Sequence, residues 1–310
     1  MSKVKQFKTI DEQIAILKEK GLVFENEEYA KQILLRENYF FINGYRYIFY
    51  KSPKDKQFIE GTTFEELYSL FLFDRNIRNI MFKYLLIVEN NLKSIFSYSL
   101  SSKYGYKEKD YLKISNFTTD ISKRRQVIDV INKMKRQIKT NAKQHSATLH
   151  YLTNYGYIPM WILVKVLSFG IMSELYMILK QEDKTNIAKY YNISADDLSI
   201  FLPIMSNYRN LCAHEDILYD YKPQRNIPNT KYHELLNIQK YEDEYIYGKS
   251  DLFGLVIMLK CLLLKEDFNK MMDSLHNEIK ALDEKVDIVS LEKILDRIGF
   301  PKNYMDIVNM

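Results

Sequence analysis

The sequence predicts an all-α fold, a helical bundle entered through an N-terminal helical wing. Three observations predict it. Glycine and proline are scarce, 9 and 6 in 310 residues, too few for the tight turns of a sheet-rich fold or for long flexible linkers. Hydrophobic residues make up 46% of the chain, enough for a substantial core, and they recur at helical spacing over long stretches. Helix-start signatures stand in front of several of those stretches.

Taken in order, Thr9-Ile10-Asp11-Glu12 reads as a capping box, and the helix it opens stops near Gly21. A short helix fits Glu27–Arg36. Tyr39–Tyr50, "YFFINGYRYIFY", has seven aromatic residues in twelve, interrupted by Gly44 and closed by Ser52-Pro53. It reads as a hydrophobic wedge packed on the rest of the fold; base stacking on some of its rings is the sharper alternative. Thr62 or Thr63 caps a long helix from Phe64 to about Leu100, with Leu67, Leu70, Phe71, Phe82, Leu85, Leu86 and Ile95 as its apolar positions. A loop is expected around Lys103–Phe117. Further helices fit Thr119–Lys143, Pro159–Lys180, Asp183–Tyr191 and Ser194 to about Ile217, the last with Pro203 placed to kink or divide it. Weaker helical patterns cover Lys231–Ile246, Leu252–Leu282 and Val289–Ile298. No internal repeat appears. The organisation expected is a wing over residues 1–60 and a helical domain over residues 61–310.

Composition excludes several classes. The stretch Met1–Lys8 is polar, without the apolar centre of a secretory signal. No uncharged run approaches the ~20 residues that cross a bilayer. Cys212 and Cys261 form no metal-type cluster, so no cofactor or metal is expected and a reduced, cytoplasmic setting is the simplest one. The net charge of +5 is mild, so its distribution carries more information than its total.

One segment can carry chemistry. Asn207–Asp220 reads "NYRNLCAHEDILYD" and contains Arg209, Asn210 and His214. Asn210 and His214 fall one helical turn apart on one face, with Arg209 about 140° from His214. One copy makes a loose site. Two copies about a two-fold axis would pool two histidines, two arginines and two amides in one crevice. Such a set suits RNA cleavage without a metal. Histidine moves the protons of the 2′-hydroxyl and the leaving 5′-oxygen, arginine's fork matches phosphate, and asparagine orients either. Leu211, Cys212 and Ala213 beside the histidine suggest that it sits part-buried at an interface.

At these residues the chain resembles a known group. Arg-Asn-x-Cys-Ala-His is similar to the Arg-x4-6-His motif of HEPN domains, in the form found in abortive-infection (Abi) proteins of the AbiD/AbiF type. Three more segments resemble that family in the same order: Asn38–Phe49; Leu72–Phe96, with its Phe-Asp-Arg and the Val88-Glu89 step; and Pro159–Tyr176, with its Trp and Leu-Ser-Phe-Gly. The resemblance spans roughly residues 10–220. It implies a HEPN-like helical bundle, homodimerisation through the motif helix, and RNA-directed toxicity or phage defence. Type VI CRISPR effectors are similar at the same motif and cleave RNA. The chain departs from the pattern at Glu215, where a second histidine is common, and at Lys165, where an acidic residue is common. Asp216 stands where a related HEPN group carries a tyrosine that a partner enzyme modifies, so that modification is not expected.

Residues 121–143 hold eight basic residues and one acidic one, 8 − 1 = +7 against +5 for the whole chain. As a helix they set Val127, Ile131, Met134 and Ile138 in one stripe, with Arg125, Arg136, Lys139 and Lys143 nearly opposite. A solvated surface helix and an RNA-phosphate track both fit. Gly248-Lys249-Ser250 resembles the end of a phosphate-binding loop, but Asp243 stands at its first glycine and no strand is expected before it. His145 and His150 are expected in a polar loop, and His233 and His276 on the surface.

The reading that results is a dimeric, metal-independent endoribonuclease toxin of an abortive-infection or toxin–antitoxin system. A non-coding RNA antitoxin or a protein antitoxin would restrain it. A non-catalytic RNA-binding module, or a purely structural dimer with Arg209 and His214 as interface groups, fits the same residues.

Overall fold

The computed structural model describes residues 6–310; Met1–Lys5, the start of the polar N-terminus, lie outside the described residues. The chain is 66% helical, and among the described residues the named strands form a single two-stranded hairpin, so the all-α class is the one observed.

Helix α1 (Ile10–Glu19) opens on the expected capping box: Thr9 Oγ1 accepts from the Glu12 N–H and the Glu12 carboxylate accepts from the Thr9 N–H. Asn26 caps α2 (Glu27–Glu37). The aromatic segment forms a short helix, α3 (Tyr39–Asn43), and a 3-10 turn over Arg46–Phe49. Tyr45, Ile48, Phe49 and Tyr50 are buried, which makes this segment a packed wedge, while Phe40 and Tyr47 stay exposed.

Helix α4 (Phe64–Tyr104) runs 41 residues, about 60 Å at 1.5 Å per residue. Thr63 caps it, not Thr62, through a second capping box with Glu66. Its buried positions include Leu67, Leu70, Phe71, Leu85 and Val88. After α5 (Glu108–Tyr111) come α6 (Arg124–Asn141), α7 (Ser146–Tyr155), α8 (Met160–Val166), α9 (Phe169–Ile178), α10 (Gln181–Lys189) and α11 (Ala195–Ala213). Helices α8 and α11 pack along α4, and α9 packs on α11. The C-terminal part adds α12 (Lys231–Leu235), the hairpin β1 (Lys240–Tyr241) and β2 (Glu244–Tyr245), α13 (Leu252–Leu262), α14 (Lys265–Asp283) and α15 (Leu291–Ile298). Helix α14 lies against α4 as well. One cluster of buried side chains extends from Ile14 to Ile307.

Several boundaries differ from expectation. Pro159–Lys180 is two helices, because Leu167 turns extended and Ser168 caps a new start, its Oγ accepting from the Ile171 N–H. Leu252–Leu282 is likewise broken, at the extended pair Leu263-Leu264. Only five residues of Lys231–Ile246 are helical; Asn237, Glu242 and Asp243 adopt positive φ, and the last two turn the hairpin. The loop expected after residue 103 contains α5. Helix α11 runs through Pro203 undivided and ends at Ala213 rather than near Ile217.

Glu66 does more than close the capping box. Its Oε2 accepts from the Thr63 N–H at 3.0 Å, and its Oε1 accepts from the Asp287 and Ile288 N–H groups at 3.0 and 2.9 Å. One buried carboxylate therefore ties the start of α4 to the segment between α14 and α15. Glu66→Ala leaves three backbone donors without this partner and should cost about 2–3 kcal/mol. Urea unfolding would show it as a lower midpoint at unchanged slope.

Candidate active centre

Helix α11 starts cleanly because the Ser194 hydroxyl accepts from the Asp197 N–H at 2.9 Å. Buried Ile204, Met205, Tyr208, Leu211 and Cys212 face it inward, and the Tyr208 hydroxyl anchors it by donating to the Asp251 carbonyl at 2.9 Å. That packing presents Asn207, Asn210 and His214 to solvent and leaves Arg209 half-buried.

The helix ends on His214. Beyond it Glu215 takes φ +57°, a left-handed conformation that glycine usually supplies. The Glu215 N–H donates to the Cys212 carbonyl at 3.4 Å and the Asp216 N–H to the Leu211 carbonyl at 3.2 Å, closing the helix end. The His214 N–H still donates to the Asn210 carbonyl at 3.0 Å, so Asn210 and His214 share one face as expected. His214 itself is exposed, not part-buried. Neither its ring nor the Asn210 amide is hydrogen-bonded to any of the described residues.

Arg209 is held from below. Its Nε donates to Glu89 Oε2 at 3.2 Å, and its guanidinium lies 5.7 Å from the Phe82 ring centroid. Glu89 is buried on α4, and its other oxygen accepts from Lys93 Nζ at 2.7 Å. The terminal nitrogens of Arg209 make no hydrogen bond among the described residues and remain available for an anion. Cys212 lies within the motif but offers no thiolate, since burial pushes its thiol up to about 12.

The segment after the motif is pinned by α4. Asp74, fully buried, accepts from the Leu218 and Tyr219 N–H groups at 3.2 and 2.6 Å, from the Tyr45 hydroxyl at 2.6 Å and from Arg78. Arg78 also donates to the Asp216 carbonyl at 3.3 Å. Burial pushes the Asp74 carboxyl up, and Arg78, Tyr45 and the two backbone donors pull against that. Reading the motif alone misses Asp74, Arg78 and Glu89. The signal that locates them is a charged residue on the apolar stripe of a long helix.

The basic helix lies elsewhere. Val127, Ile131 and Met134 are buried and Ile138 half-buried, while Arg125, Arg136, Lys139 and Lys143 are exposed and make no ion pair among the described residues. Lys133 is engaged by Asp129 and Glu174. Three expectations about the discounted residues change. His233 is buried, stacked 4.7 Å from Tyr245 with Nε2 on the Gly248 carbonyl at 3.0 Å. His145 caps α7, and His150 lies on that helix. A two-residue strand does stand before Gly248-Lys249-Ser250, but the Asp251 carboxylate takes the Gly248 and Gly254 N–H groups a phosphate would need. Among the described residues no three His, Cys, Asp or Glu side chains are grouped to hold a metal. Nor is any of their helices long and apolar enough to cross a membrane.

The chain belongs to the Abi-like protein family, whose model matches residues 32–220. That makes it an abortive-infection protein, a class that acts in phage defence. No curated protein and no solved structure matches the chain.

Asp74→Ala should lower stability by about 3–5 kcal/mol, because Arg78 and two N–H groups lose a buried partner. Asp74→Ala with Arg78→Met should recover part of that loss, since no uncompensated charge remains. Equal destabilisation of the single and double variants in urea would show that the pair is not the source.

Proposed function

We propose that the chain is an RNA-directed toxin, a metal-independent endoribonuclease of the HEPN type acting as a homodimer. The observation that carries this reading is the state of Arg209: fixed at Nε by buried Glu89, with its fork unengaged, beside the exposed Asn210 and His214. A guanidinium oriented in this way fits the two non-bridging oxygens of a phosphodiester. His214 at the helix end takes the 2′-hydroxyl proton, and a second histidine returns one to the leaving 5′-oxygen. One chain supplies a single His214, so the composite site needs the second copy. The exposed motif surface supports such pairing. RNA is the substrate, and a non-coding RNA or a protein serves as antitoxin. No cofactor is required by this chemistry.

The purified protein should cut single-stranded RNA in the presence of a chelator, leaving 2′,3′-cyclic or 3′-phosphate and 5′-hydroxyl ends. Arg209→Ala and His214→Ala should each abolish growth inhibition; exposed His214→Ala should melt like the parent, while Arg209→Ala, which takes a partner from buried Glu89, should stay folded but melt lower, and sedimentation should show a dimer. Strict dependence on a divalent ion, or 5′-phosphate products, would overturn the mechanism. Full toxicity of both variants would move the site elsewhere.

The exposed basic face of α6 supports a role in tracking phosphates. Reversing Arg136 and Lys139 to Glu should weaken RNA binding and flatten its salt dependence, each lost contact lowering the log–log slope by somewhat less than about one unit. The helix should survive, because its buried stripe is untouched and Glu favours helix. An unchanged salt slope would leave α6 as a solvated face.

A further inference from the structure

Five aromatic rings from three segments meet on the surface beside α6. Tyr106 follows α4, Tyr151 and Tyr155 lie on α7, and Tyr157 and Trp161 lie at the entry to α8. Their centroids form a chain: Trp161–Tyr106 5.9 Å, Tyr106–Tyr157 5.7 Å, Tyr157–Tyr155 6.3 Å and Tyr155–Tyr151 5.2 Å. Trp161 Nε1 faces the Tyr151 hydroxyl at 3.4 Å, which closes the circuit. Burial does not explain the assembly. Tyr106, Tyr155 and Trp161 remain 43%, 56% and 42% exposed, unusual for rings that have so many neighbours to pack against.

The platform is built on fixed backbone. The Tyr111 hydroxyl donates to the Ile158 carbonyl at 2.8 Å, and the Glu108 carboxylate accepts from the Ile158 N–H at 2.8 Å. These bonds hold the residues after α4 against the entry to α8. Gly156, at φ +71°, turns the chain between Tyr155 and Tyr157. Positive charge is woven into the platform: Lys107 Nζ lies 4.8 Å from the Tyr157 centroid and 5.9 Å from that of Tyr106. At Glu108 it adjoins a groove of about 370 Å³ between α5 and α6. Leu112 and Ile138 line that groove together with Lys109, Lys113, Lys135 and Lys139. Of those lysines only Lys113 has an ion-pair partner among the described residues, Asp110 at 3.3 Å.

We propose that this surface binds single-stranded RNA, with bases stacked on the Tyr and Trp rings and phosphates on the lysines of the adjoining groove. Rings of this kind accept any base, because every base has a π-face, and lysines track the backbone without reading sequence. A duplex would present its base pairs edge-on and leave the rings unused. The proposal rests on the RNA reading of the motif but concerns a different place. Glu89, which holds Arg209, and Tyr104, where α4 ends, are about 22 Å apart along the helix axis. Tyr106 lies past that end, so the platform meets α4 at its far end from the residue that holds Arg209.

Trp161 is the chain's single tryptophan, so its emission reads this surface alone. The experiment uses the full chain carrying His214→Ala, so that RNA stays intact, and a uridylate dodecamer as probe. Saturable quenching is expected, with much weaker quenching by a blunt RNA duplex of equal length. Tyr155→Ala should raise the Kd about five- to 150-fold at unchanged melting temperature. Lys109→Ala should reduce the salt dependence of binding. Binding seen by anisotropy with no change in Trp161 emission, and unaffected by Tyr155→Ala, would overturn the platform and leave the ribonuclease reading intact. Emission that follows protein concentration instead of RNA would show a second copy seated on the rings, and overturns it too. Absence of any RNA binding, together with no cleavage by the parent protein, would sink both proposals.

Discussion

The buried carboxylate of Asp74 is the contact on which the arrangement of the motif depends. It receives the Tyr45 hydroxyl from the aromatic wedge, Arg78 from its own helix, and the Leu218 and Tyr219 N–H groups from the chain just past the motif. Three segments, the wedge 29 residues before Asp74 and the post-motif segment 144 residues after it among them, therefore meet at one side chain. A fully desolvated carboxylate is tolerated only where donors surround it, so the three segments are tied to one geometry. Tyr45 stacks on Tyr219 at 5.3 Å, which adds an apolar seal above the charge. The exit of α11 is thus set from outside that helix, and with it the direction in which His214 points.

The same helix repeats the device. Along α4, Glu66 holds the segment before α15, Asp74 holds the segment after α11, and Glu89 holds Arg209. Each carboxylate is buried, and each reaches a part of the chain remote in sequence. A bundle of amphipathic helices packed by side-chain volume alone tolerates small slides between helices. Directional bonds from one rigid helix remove that freedom and fix where Arg209 and the exit of α11 stand.

Most of the fold was legible because helices announce themselves locally. Thr9 with Glu12, Thr63 with Glu66, and Ser194 with Asp197 mark starts, and the stripe of Val127, Ile131 and Met134 marks the buried side of α6. The breaks at Leu167-Ser168 and Leu263-Leu264 were not legible, since leucine carries no stop signal and the cap at Ser168 sits inside an otherwise unbroken apolar pattern. The hairpin was hidden because Glu242 and Asp243 occupy positions where Asn-Gly would have been recognised. The motif residues were legible as a pattern, but Glu89 was legible only as part of a family resemblance, because a partner 120 residues away leaves no periodic trace. The grouping of Trp161 with its tyrosines was invisible for the same reason: three segments had to fold before they formed one surface.

The end of α11 carries a cost that bears on what the site does. Glu215 occupies left-handed space, where a non-glycine residue is strained by about 1–2 kcal/mol, and its side chain gains only an exposed contact with Arg75 at 3.8 Å. Folding alone would favour glycine there. Yet the strained turn does something specific: it stops the helix on His214 and sends the next residues down to Asp74. Continued helix would instead carry residues 215–217 outward and bury neither Leu218 nor Tyr219, both now fully enclosed. Strain held in place by a buried network is what places the imidazole at an exposed helix end, with no hydrogen bond to any described residue. That arrangement suits a residue whose partners come from another molecule.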